Sequence, residues 1–114
     1  MERDPNGLQA GEPGAKLDAG KLQASLLEDF SLALIEVAKV ATYGAGKYSR
    51  GGWQYVPNGI QRYADAGWRH RLAKRHEELD PDSGLLHEAH ELWNMMAKLE
   101  LKLREKFNQQ QGDE

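Results

Sequence analysis

The sequence contains no cysteine, and this absence removes several classes of site at once. A chain without thiols has no disulfide scaffold, no thiolate zinc site and no cysteine nucleophile. Aspartate, glutamate and histidine are therefore the side chains from which a metal site in this protein would be built.

Long apolar runs and clusters of positive charge are also missing. No stretch approaches the roughly 18 apolar residues of a membrane-spanning helix, and the N-terminus has no charged-then-apolar signal. We therefore expect a cytoplasmic protein without a membrane partner. The formal net charge is -3 and no basic run is present, so a nucleic-acid polymer is not expected as a partner. An anionic ligand must be met by local positive charge.

The apolar content is low, at 39% of 114 residues. A chain of this length forms one domain with a modest core, and burial between subunits would help to complete that core. The composition predicts a flexible N-terminal segment at residues 1–20, a helical domain at residues 21–107 and a disordered tail at residues 108–114.

The apolar periodicity predicts an all-α fold without strands. Three main helices are expected, with a glycine-rich corner between the first two and an acidic corner between the last two. Their predicted limits are Ser25 to Tyr43, a cap at Asn58 to Leu79, and a cap at Asp82 or Ser83 to Phe107.

The third helix carries a polar ridge of His87, His90, Glu91 and Asn94, because positions three, four and seven apart share one helix face. An apolar stripe lies on the opposite face and comprises Leu85, Ala89, Leu92, Met96, Leu99 and Leu103. Two interpretations follow. The polar ridge is either solvated surface or a functional surface that a second element or a second subunit covers.

Glu36 is unusual in the first helix, because Leu32, Val40 and Tyr43 lie along the same face. Burying an unpaired carboxylate is costly, so Glu36 must be neutral or have a cation, a histidine or a metal ion as its partner. The alternative to a functional role is a salt bridge within the core or at an oligomer interface.

The glycine-rich corner at residues 43–53 combines glycines with Lys47, Tyr48, Arg50 and Trp53. Backbone amides and cations suit phosphate, and aromatic faces suit a base, so this composition favours a nucleotide site. The spacing is neither a Walker A loop nor a dinucleotide fingerprint. A plain helix terminator is the alternative.

The second helix places Arg62 and Arg69 on either side of Asp65, which is compatible with mutual neutralisation or with a phosphate clamp. Four carboxylates follow at the acidic corner, where a hydrated turn or a Mg²⁺ site would relieve their repulsion. These are Glu77, Glu78, Asp80 and Asp82.

Several short motifs follow one another between Lys16 and Leu101. The first are Lys16 to Lys21, Glu36 to Val40 and Tyr43 to Tyr48. The later ones are Trp53, Arg62-Tyr63, Arg69-His70, Glu78 with Asp80, Ser83-Gly84, and His87 with His90. Their order resembles a family of phage proteins, the dATP/dGTP diphosphohydrolase N-terminal domain, which is similar in style to the MazG-type all-α nucleoside triphosphate pyrophosphohydrolases.

The resemblance implies a nucleotide-handling helical protein of the host cytoplasm, a homo-oligomer that acts on purine deoxynucleoside triphosphates. The implied cofactor is a divalent metal ion, Mg²⁺ in the first place and Mn²⁺ as the alternative. MazG-type enzymes hold the ion with carboxylates on two helices. Here Lys39 follows Glu36 one turn on, and His87 and His90 replace the second carboxylate pair. Histidine is a poor ligand for Mg²⁺ and a good one for Mn²⁺, Fe²⁺ or Zn²⁺.

We therefore predict a metal-dependent pyrophosphohydrolase that converts a purine dNTP to dNMP and pyrophosphate. Glu36, Glu78 and Asp82 are expected to hold the ion. The predicted catalytic residues are Glu36, His87 and His90, with one histidine taking the proton of the attacking water. The predicted substrate-binding residues are Lys21, Lys47, Tyr48, Trp53, Arg62, Arg69 and His70. Two alternatives stay open: an oligomer that sequesters a nucleotide or signalling nucleotide without cleaving it, and a helical interaction module without a small-molecule site.

Overall fold

The computed structural model describes residues 2–112. Its three α-helices are α1 (Ser31–Lys47), α2 (Gly59–Ala73) and α3 (His87–Gly112). Short 3-10 helices at Ala24–Phe30 and Gly52–Tyr55 precede α1 and α2. Within the described residues, extended backbone pairs at a single antiparallel bridge between Leu79 and Leu86. The predicted all-α fold is therefore confirmed.

Helices α2 and α3 run in opposite directions and form the centre of the fold. Two glycines of α2 allow a close approach. A Cβ atom on Gly67 would lie 3.5 Å from Cβ of Asn94, and one on Gly59 would lie 3.1 Å from Cδ1 of Leu101. Because glycine has no side chain, the two backbones come together at both points. The last turn of α2 consequently faces the first turn of α3.

Helix α1 packs on α3, and its buried residues are Val37 and Val40. The helix continues through Gly44 and Gly46 to Lys47, so the predicted end at Tyr43 is wrong. Glycine lowers helix stability by about 0.5–1 kcal/mol per residue but does not forbid a helical backbone. The left-handed residue that follows the helix is Gly51, with a φ of 76°.

The predicted limits of the other two helices need correction. Helix α2 ends at Ala73 rather than Leu79, and Asn58 at its start has a φ of 55° and makes no side-chain capping hydrogen bond. Helix α3 begins at His87, so neither Asp82 nor Ser83 caps it. Residues 74–86 form turns, because side chains in this stretch bond to nearby backbone amides and so compete with a helix.

The burial pattern of α3 is the reverse of that of a surface helix, which buries its apolar stripe and exposes its polar face. His87, His90 and Asn94 of the polar ridge are buried. The members of the apolar stripe that remain exposed are Leu92, Met96, Leu99 and Leu103. Since α2 covers the polar ridge, its interpretation as solvated surface is wrong.

Large apolar side chains are exposed on α1 and the 3-10 helix before it. They are Leu26, Leu27, Phe30, Leu32, Leu34 and Ile35. The Cα radius of gyration is 19.4 Å, whereas a compact chain of this length has about 13 Å. The apolar residues that the structure describes as buried are Val37, Val40, Ala89 and Ala97, which make a small core.

The segment before α1 is a series of turns held in part by Asp4. The buried carboxylate of Asp4 accepts hydrogen bonds from the amides of Asn6 and Lys16, both at 2.7 Å. The bond from Lys16, above all, holds the pKa of Asp4 below its ordinary value. The division of the chain at residues 20 and 107 stays a prediction. Met1 and residues 113–114 of the predicted tail lie outside the described residues.

A membrane-crossing helix needs a long apolar stretch, and none of the helices described for residues 2–112 has one.

Candidate functional site

Three histidines meet where the end of α2 faces the start of α3, and we call them the histidine cluster: His70, His87 and His90. The imidazole of His70 stacks on that of His90, with 4.5 Å between ring centroids and 11° between planes. Nδ1 of His70 lies 2.9 Å from Nδ1 of His87. The polar ridge of α3 therefore finds its covering surface within the same chain.

Asp80 lies beside the cluster, in the turn between α2 and α3. Its Oδ1 accepts hydrogen bonds from the amides of Asp82 and Ser83, both at 2.9 Å, and from Oγ of Ser83 at 3.3 Å. Gly84, with a φ of 73°, donates its amide to the carbonyl of Asp80 at 2.7 Å. Oδ2 of Asp80 lies 3.9 Å from Nδ1 of His70. The turn thus fixes one carboxylate oxygen and leaves the other beside the histidines.

Glu77 determines the tautomer of His87. Nε2 of His87 lies 3.0 Å from Oε1 of Glu77, and an ionised carboxylate only accepts hydrogen bonds. His87 therefore carries a proton on Nε2. In the neutral ring, Nδ1 then has a lone pair that accepts from Nδ1–H of His70.

Ser83 and Asn94 hold His90 in place. Nε2 of His90 is 2.7 Å from Oγ of Ser83, and that oxygen also accepts the amide of Leu85 at 3.1 Å. One turn further along α3, Nδ2 of Asn94 donates to the carbonyl of His90 at 2.8 Å. The position of the His90 ring is thus fixed at one edge by a hydroxyl and on one face by His70.

Lys74 and Glu91 form an ion pair across the same helix contact. Nζ of Lys74 lies 2.7 Å from Oε1 of Glu91 and 3.9 Å from Oε1 of Glu88. Glu91, the fourth member of the polar ridge, is thereby neutralised by α2. It joins the two helices rather than the histidine cluster.

Burial favours the neutral form of two histidines of the cluster, His70 and His90. Desolvation lowers the pKa of His70 to about 4, and the neighbouring His90 adds to this effect. Desolvation also lowers the pKa of His90. Burial raises the pKa of Asp80, but the amide hydrogen bonds from Ser83 and Asp82 outweigh it and bring the pKa below its ordinary value. At neutral pH, the uncharged imidazoles of His70 and His90 therefore lie beside the ionised carboxylate of Asp80.

His70, Asp80 and His87 are close enough to share an ion. One donor atom from each lies within 4.8 Å of the donors of the other two. Two imidazole nitrogens and a carboxylate oxygen suit divalent ions such as Mn²⁺, Fe²⁺ and Zn²⁺. Among residues 2–112, this is the group of three acidic or histidine side chains whose donor atoms lie this close together. It contains none of the expected ligands Glu36, Glu78 and Asp82, and it shares only Asp80 with the acidic corner.

Lys47 adds positive charge at the same end of the fold. Its Nζ lies 5.8 Å and 5.2 Å from the ring centroids of Tyr43 and Tyr48. Tyr43 in turn meets the ring of His90 edge-on, with 6.2 Å between centroids. The hydroxyl of Tyr48, above all, raises the pKa of Lys47, and the charge of Asp82 contributes. Lys47 is therefore a permanent cation close to the histidine cluster.

A shallow groove of about 500 Å³ separates α1 from the turn that contains Ser83. Tyr43 and Ser83, which both contact His90, lie along it. Its other lining residues include Ile35, Ala38, Lys39 and Leu85. The groove therefore combines an apolar wall with polar groups that lead to the histidine cluster.

Glu36 has a cationic partner within its own helix. Its Oε1 accepts a hydrogen bond from Nζ of Lys39 at 2.9 Å, and its side chain is 33% exposed. Glu36 precedes Tyr43 by seven residues, which is about 10 Å along the helix. Of the other predicted metal ligands, Glu78 and Asp82 are exposed, and the carbonyl of Glu78 accepts the amide of His87 at 3.0 Å. Metal binding by this trio stays a prediction.

The predicted arginine clamp is not assembled around Asp65. Asp65 accepts a hydrogen bond from Nε2 of Gln61 at 3.0 Å, and Nη1 of Arg62 donates to the carbonyl of Pro57 at 3.2 Å. Within residues 2–112, neither Arg62 nor Arg69 forms an ion pair with Asp65. The charge of Arg69 contributes to the low pKa of His70, so Arg69 is the arginine that lies near the cluster.

Trp53 belongs to a separate aromatic group. Its ring lies 6.3 Å from that of Tyr63 and 6.0 Å from that of Trp93, and its carbonyl accepts the hydroxyl of Tyr63 at 2.7 Å. Tyr63 precedes His70 by seven residues, so about 10 Å of helix separates this group from the histidines. Tyr48 is exposed and lies beside Lys47. Lys21 pairs with Glu2 at 2.9 Å in the N-terminal segment.

Glu77, Asp80 and Ser83 belong to the site but are not among the predicted catalytic, substrate-binding or metal-binding residues. The sequence named Glu77 and Asp80 as members of the acidic corner, and Ser83 as a helix cap or motif residue. The signal for Asp80 was present, because Asp-Pro-Asp-Ser-Gly is typical of a turn in which the first aspartate accepts the amides two and three residues on. His70 was predicted to bind substrate, whereas the structure places it against His87 and His90.

Comparison with known proteins agrees with the motif order. The family described as dATP/dGTP diphosphohydrolase, N-terminal, matches residues 11–111. A dATP/dGTP diphosphohydrolase of Salmonella phage PMBT28 is 37% identical over 84 residues, which cover 73% of this chain and 28% of the relative. The chain thus spans less than a third of that relative's length. No solved structure matches the chain. A family match across nearly all the described residues shows that the chain belongs to the dATP/dGTP diphosphohydrolase N-terminal family.

Proposed function

We propose that this chain handles the nucleotide in a dATP/dGTP diphosphohydrolase, which uses a divalent metal ion to cleave a purine dNTP into dNMP and pyrophosphate. The observation that carries the proposal is the meeting of the histidine cluster and Asp80 with Lys47. Phosphoryl transfer needs a base near the attacking water and positive charge on the phosphates, and this corner supplies both.

His90 is the residue to which we assign the water's proton. Both nitrogens of His87 are engaged, Nε2 with Glu77 and Nδ1 with His70. In His90, Nε2 contacts the hydroxyl of Ser83, whereas Nδ1 makes no hydrogen bond among residues 2–112 and is the nitrogen to which the proton would pass. The lowered pKa of His90 means that the ring is neutral and able to accept a proton at pH 7.

The proposed reaction is attack of water on the α-phosphorus. The water oxygen bonds to that phosphorus, the bond to the oxygen bridging the α- and β-phosphates breaks, and the proton passes to His90. A divalent ion, when bound, supplies a Lewis acid that polarises a phosphoryl oxygen and acidifies the water. Lys47 would neutralise the departing pyrophosphate.

The nucleoside would lie along the groove between α1 and the turn of Ser83. Its apolar wall, formed in part by Ala38 and Leu85, suits a base or deoxyribose, and the groove leads past Tyr43 to His90. Tyr48 is exposed next to Lys47 and is free to stack on a purine. The substrate-binding roles of Lys21, Trp53, Arg62 and Arg69 remain proposals. Among residues 2–112, no hydrogen bond or ion pair joins their side chains to the histidine cluster, although the charge of Arg69 lowers the pKa of His70.

We also propose that a second copy of the chain covers the exposed apolar face of α1. Support comes from the small buried core and from a radius of gyration well above that of a compact chain. Glu36 lies on α1, and an interface there would bury its pair with Lys39. The homo-oligomer is thus part of the proposal, and the relative from a phage supports a site of action in the host cytoplasm.

A second candidate function is nucleotide sequestration without cleavage. The Glu36–Lys39 ion pair favours it, because a lysine occupies the position where a second metal-binding carboxylate would be needed in a MazG-type helix. The same groove and cations would then bind the nucleotide, and no water would be activated.

The two candidates are separated by incubating the purified chain with dGTP or dATP and Mn²⁺ or Mg²⁺. If the chain hydrolyses the nucleotide, chromatography should show equal amounts of dNMP and pyrophosphate. These products should be absent with His90→Asn and present with His76→Asn, which is a control at an exposed histidine. A melting-temperature shift with the nucleotide recovered intact would support sequestration. Neither products nor a shift would overturn the assignment of nucleotide handling to this chain.

A further inference from the structure

Two buried or half-buried imidazoles bring the same atom, Nδ1, to within 2.9 Å of each other. A single proton can bridge this gap, as described above, but a cation shared by both nitrogens fits it equally well. A third donor is at hand, because Oδ2 of Asp80 lies 3.9 Å from Nδ1 of His70. No hydrogen bond to this oxygen occurs among the residues that the structure describes.

We propose that His70, Asp80 and His87 form a binding site for a divalent transition-metal ion of the Mn²⁺, Fe²⁺ or Zn²⁺ type. The inference deepens the proposed function by naming the ion and its ligands, and it rests on that function only for the use to which the ion is put. Mg²⁺ is a poor fit, since it prefers oxygen ligands and this site offers two nitrogens.

The distances suit such an ion. Two nitrogens bonded to one ion at about 2.1 Å are separated by roughly 3.0–3.4 Å, depending on the angle at the metal. The Nδ1 atoms of His70 and His87, at 2.9 Å, are already close to this separation. All three donor atoms lie within 4.8 Å of one another, so the carboxylate needs to move by only about 1 Å to close the site.

The groups around the three ligands are those that metal sites use to orient them. Glu77 accepts from Nε2 of His87, which directs the lone pair of Nδ1 inward. Asp80 is anchored through Oδ1 by two amides and the hydroxyl of Ser83, so Oδ2 remains available. The ligands come from the end of α2, the turn and the start of α3. The packing of the two helices therefore assembles the site in advance.

His90 is not one of the ligands. Its ring stacks flat on His70, and its Nε2 bonds to Ser83. An ion held by three protein atoms keeps positions for water and for a phosphate oxygen, which is the arrangement of catalytic rather than structural sites. His90 then lies next to the ion as a base.

Cobalt(II) tests the site directly, because its visible absorption reports nitrogen and oxygen ligation without any nucleotide. The full chain is stripped with a chelator and titrated with CoCl₂, and the bound metal is counted by elemental analysis. We expect one Co²⁺ per chain, a visible absorption band, and no displacement by a large excess of Mg²⁺.

Asp80→Asn is the key variant, because the amide oxygen can still accept the hydrogen bonds of the turn while the anionic donor is lost. We expect at least tenfold weaker Co²⁺ binding in this variant and unchanged binding in His76→Asn. His70→Asn provides a second test at the other end of the site, with circular dichroism to confirm that each variant is folded. Absent binding in the folded wild type, or binding in folded Asp80→Asn and His70→Asn as tight as in the wild type, would overturn the site.

These results are distinguishable from failure of the proposed function. Co²⁺ binding that depends on Asp80, combined with intact nucleotide, would support the site and overturn hydrolysis. Hydrolysis supported by Mg²⁺ and kept in Asp80→Asn would support the function and overturn the site.

Discussion

The imidazole of His70 lies flat against that of His90, with the ring planes 11° apart and the centroids 4.5 Å apart. His70 belongs to α2 and His90 to α3, so the stack joins the two central helices at their shared end. A proton on either ring would place a charge beside the other ring in a poorly hydrated contact. The stack therefore connects the geometry of the site to the pH at which the protein is stable.

We expect the metal-free protein to lose stability as the pH falls from about 6.5 towards 4. The pKa of His70 is about 4 in the folded chain and near 6.5 when unfolded, so between these values the unfolded state binds more protons. The stability associated with neutral His70 is complete above pH 6.5 and is reduced by up to about 3 kcal/mol at pH 4. Urea unfolding in the presence of a chelator measures the effect.

Two variants make this pH test specific. His70→Gln removes the titrating group and should flatten the decrease between pH 6.5 and 4.5. His76→Gln, at an exposed position, should leave the decrease unchanged. An identical pH dependence in wild type and His70→Gln would contradict the low pKa of His70.

Lys47→Met is expected to raise KM for dGTP by about tenfold, which corresponds to a loss of ~1.4 kcal/mol in binding free energy. The reason is that Nζ of Lys47 lies beside Tyr43 and Tyr48, and its charge reaches His90. Steady-state pyrophosphate release gives KM and kcat separately. Lys102→Met on the exposed side of α3 is the matched control. Equal KM values for the two variants would remove Lys47 from the phosphate site.

Gly84→Ala and Gly44→Ala should change stability in opposite directions. Gly84 has a φ of 73°, which a residue with a Cβ adopts with strain, so Gly84→Ala should cost about 1 kcal/mol and weaken Co²⁺ binding by moving Asp80. Gly44 lies inside α1 with nothing within 4 Å of an added Cβ, so Gly44→Ala should stabilise by about 0.5–1 kcal/mol. Thermal melts compare them, and a stabilising Gly84→Ala would count against the turn geometry.

Leu32→Arg should dissociate the proposed oligomer. Leu32 is 81% exposed in the single chain and lies among other exposed apolar residues of α1, so a charge there opposes burial between subunits. Light scattering coupled to gel filtration should show a smaller mass. Leu22→Arg, at a residue that is 97% exposed in the N-terminal segment, serves as the control. A monomeric wild type would rule out the self-association that we propose for α1.

The sequence identified the chemistry of α3 but not its orientation. The spacing of His87, His90 and Asn94 places them on one helix face, as the structure has them. Periodicity shows which residues share each face of the helix, but it does not show which face another helix covers. The decisive feature was on another helix, because Gly67 lets α2 approach near Asn94 and His70 then covers the ridge.

The turn before α3 was misassigned for a local reason. Asp82 and Ser83 have the side chains of helix caps, and the first polar residues before an apolar run are the usual candidates. In the structure both donate their amides to Asp80, one residue before Pro81, and the helix starts only at His87. An aspartate that organises a turn and an aspartate that caps a helix use the same oxygen, so sequence alone did not separate them.

Glu36 shows how much the apolar neighbours of a carboxylate can predict about its partner. Its neighbours Val40 and Tyr43 are apolar along one side, and this predicted a partner. The partner in the single chain is Lys39, three residues on, at 2.9 Å. Periodicity had identified the need for a compensating charge but not its source, since an i, i+3 pair satisfies it locally.

The most direct test of the account is crystallography of the chain soaked with MnCl₂, using the anomalous signal of manganese to locate the ion. The account predicts one peak about 2.2 Å from Nδ1 of His70, Nδ1 of His87 and Oδ2 of Asp80. A peak among Glu36, Glu78 and Asp82 instead, or none beside the histidine cluster, would contradict it.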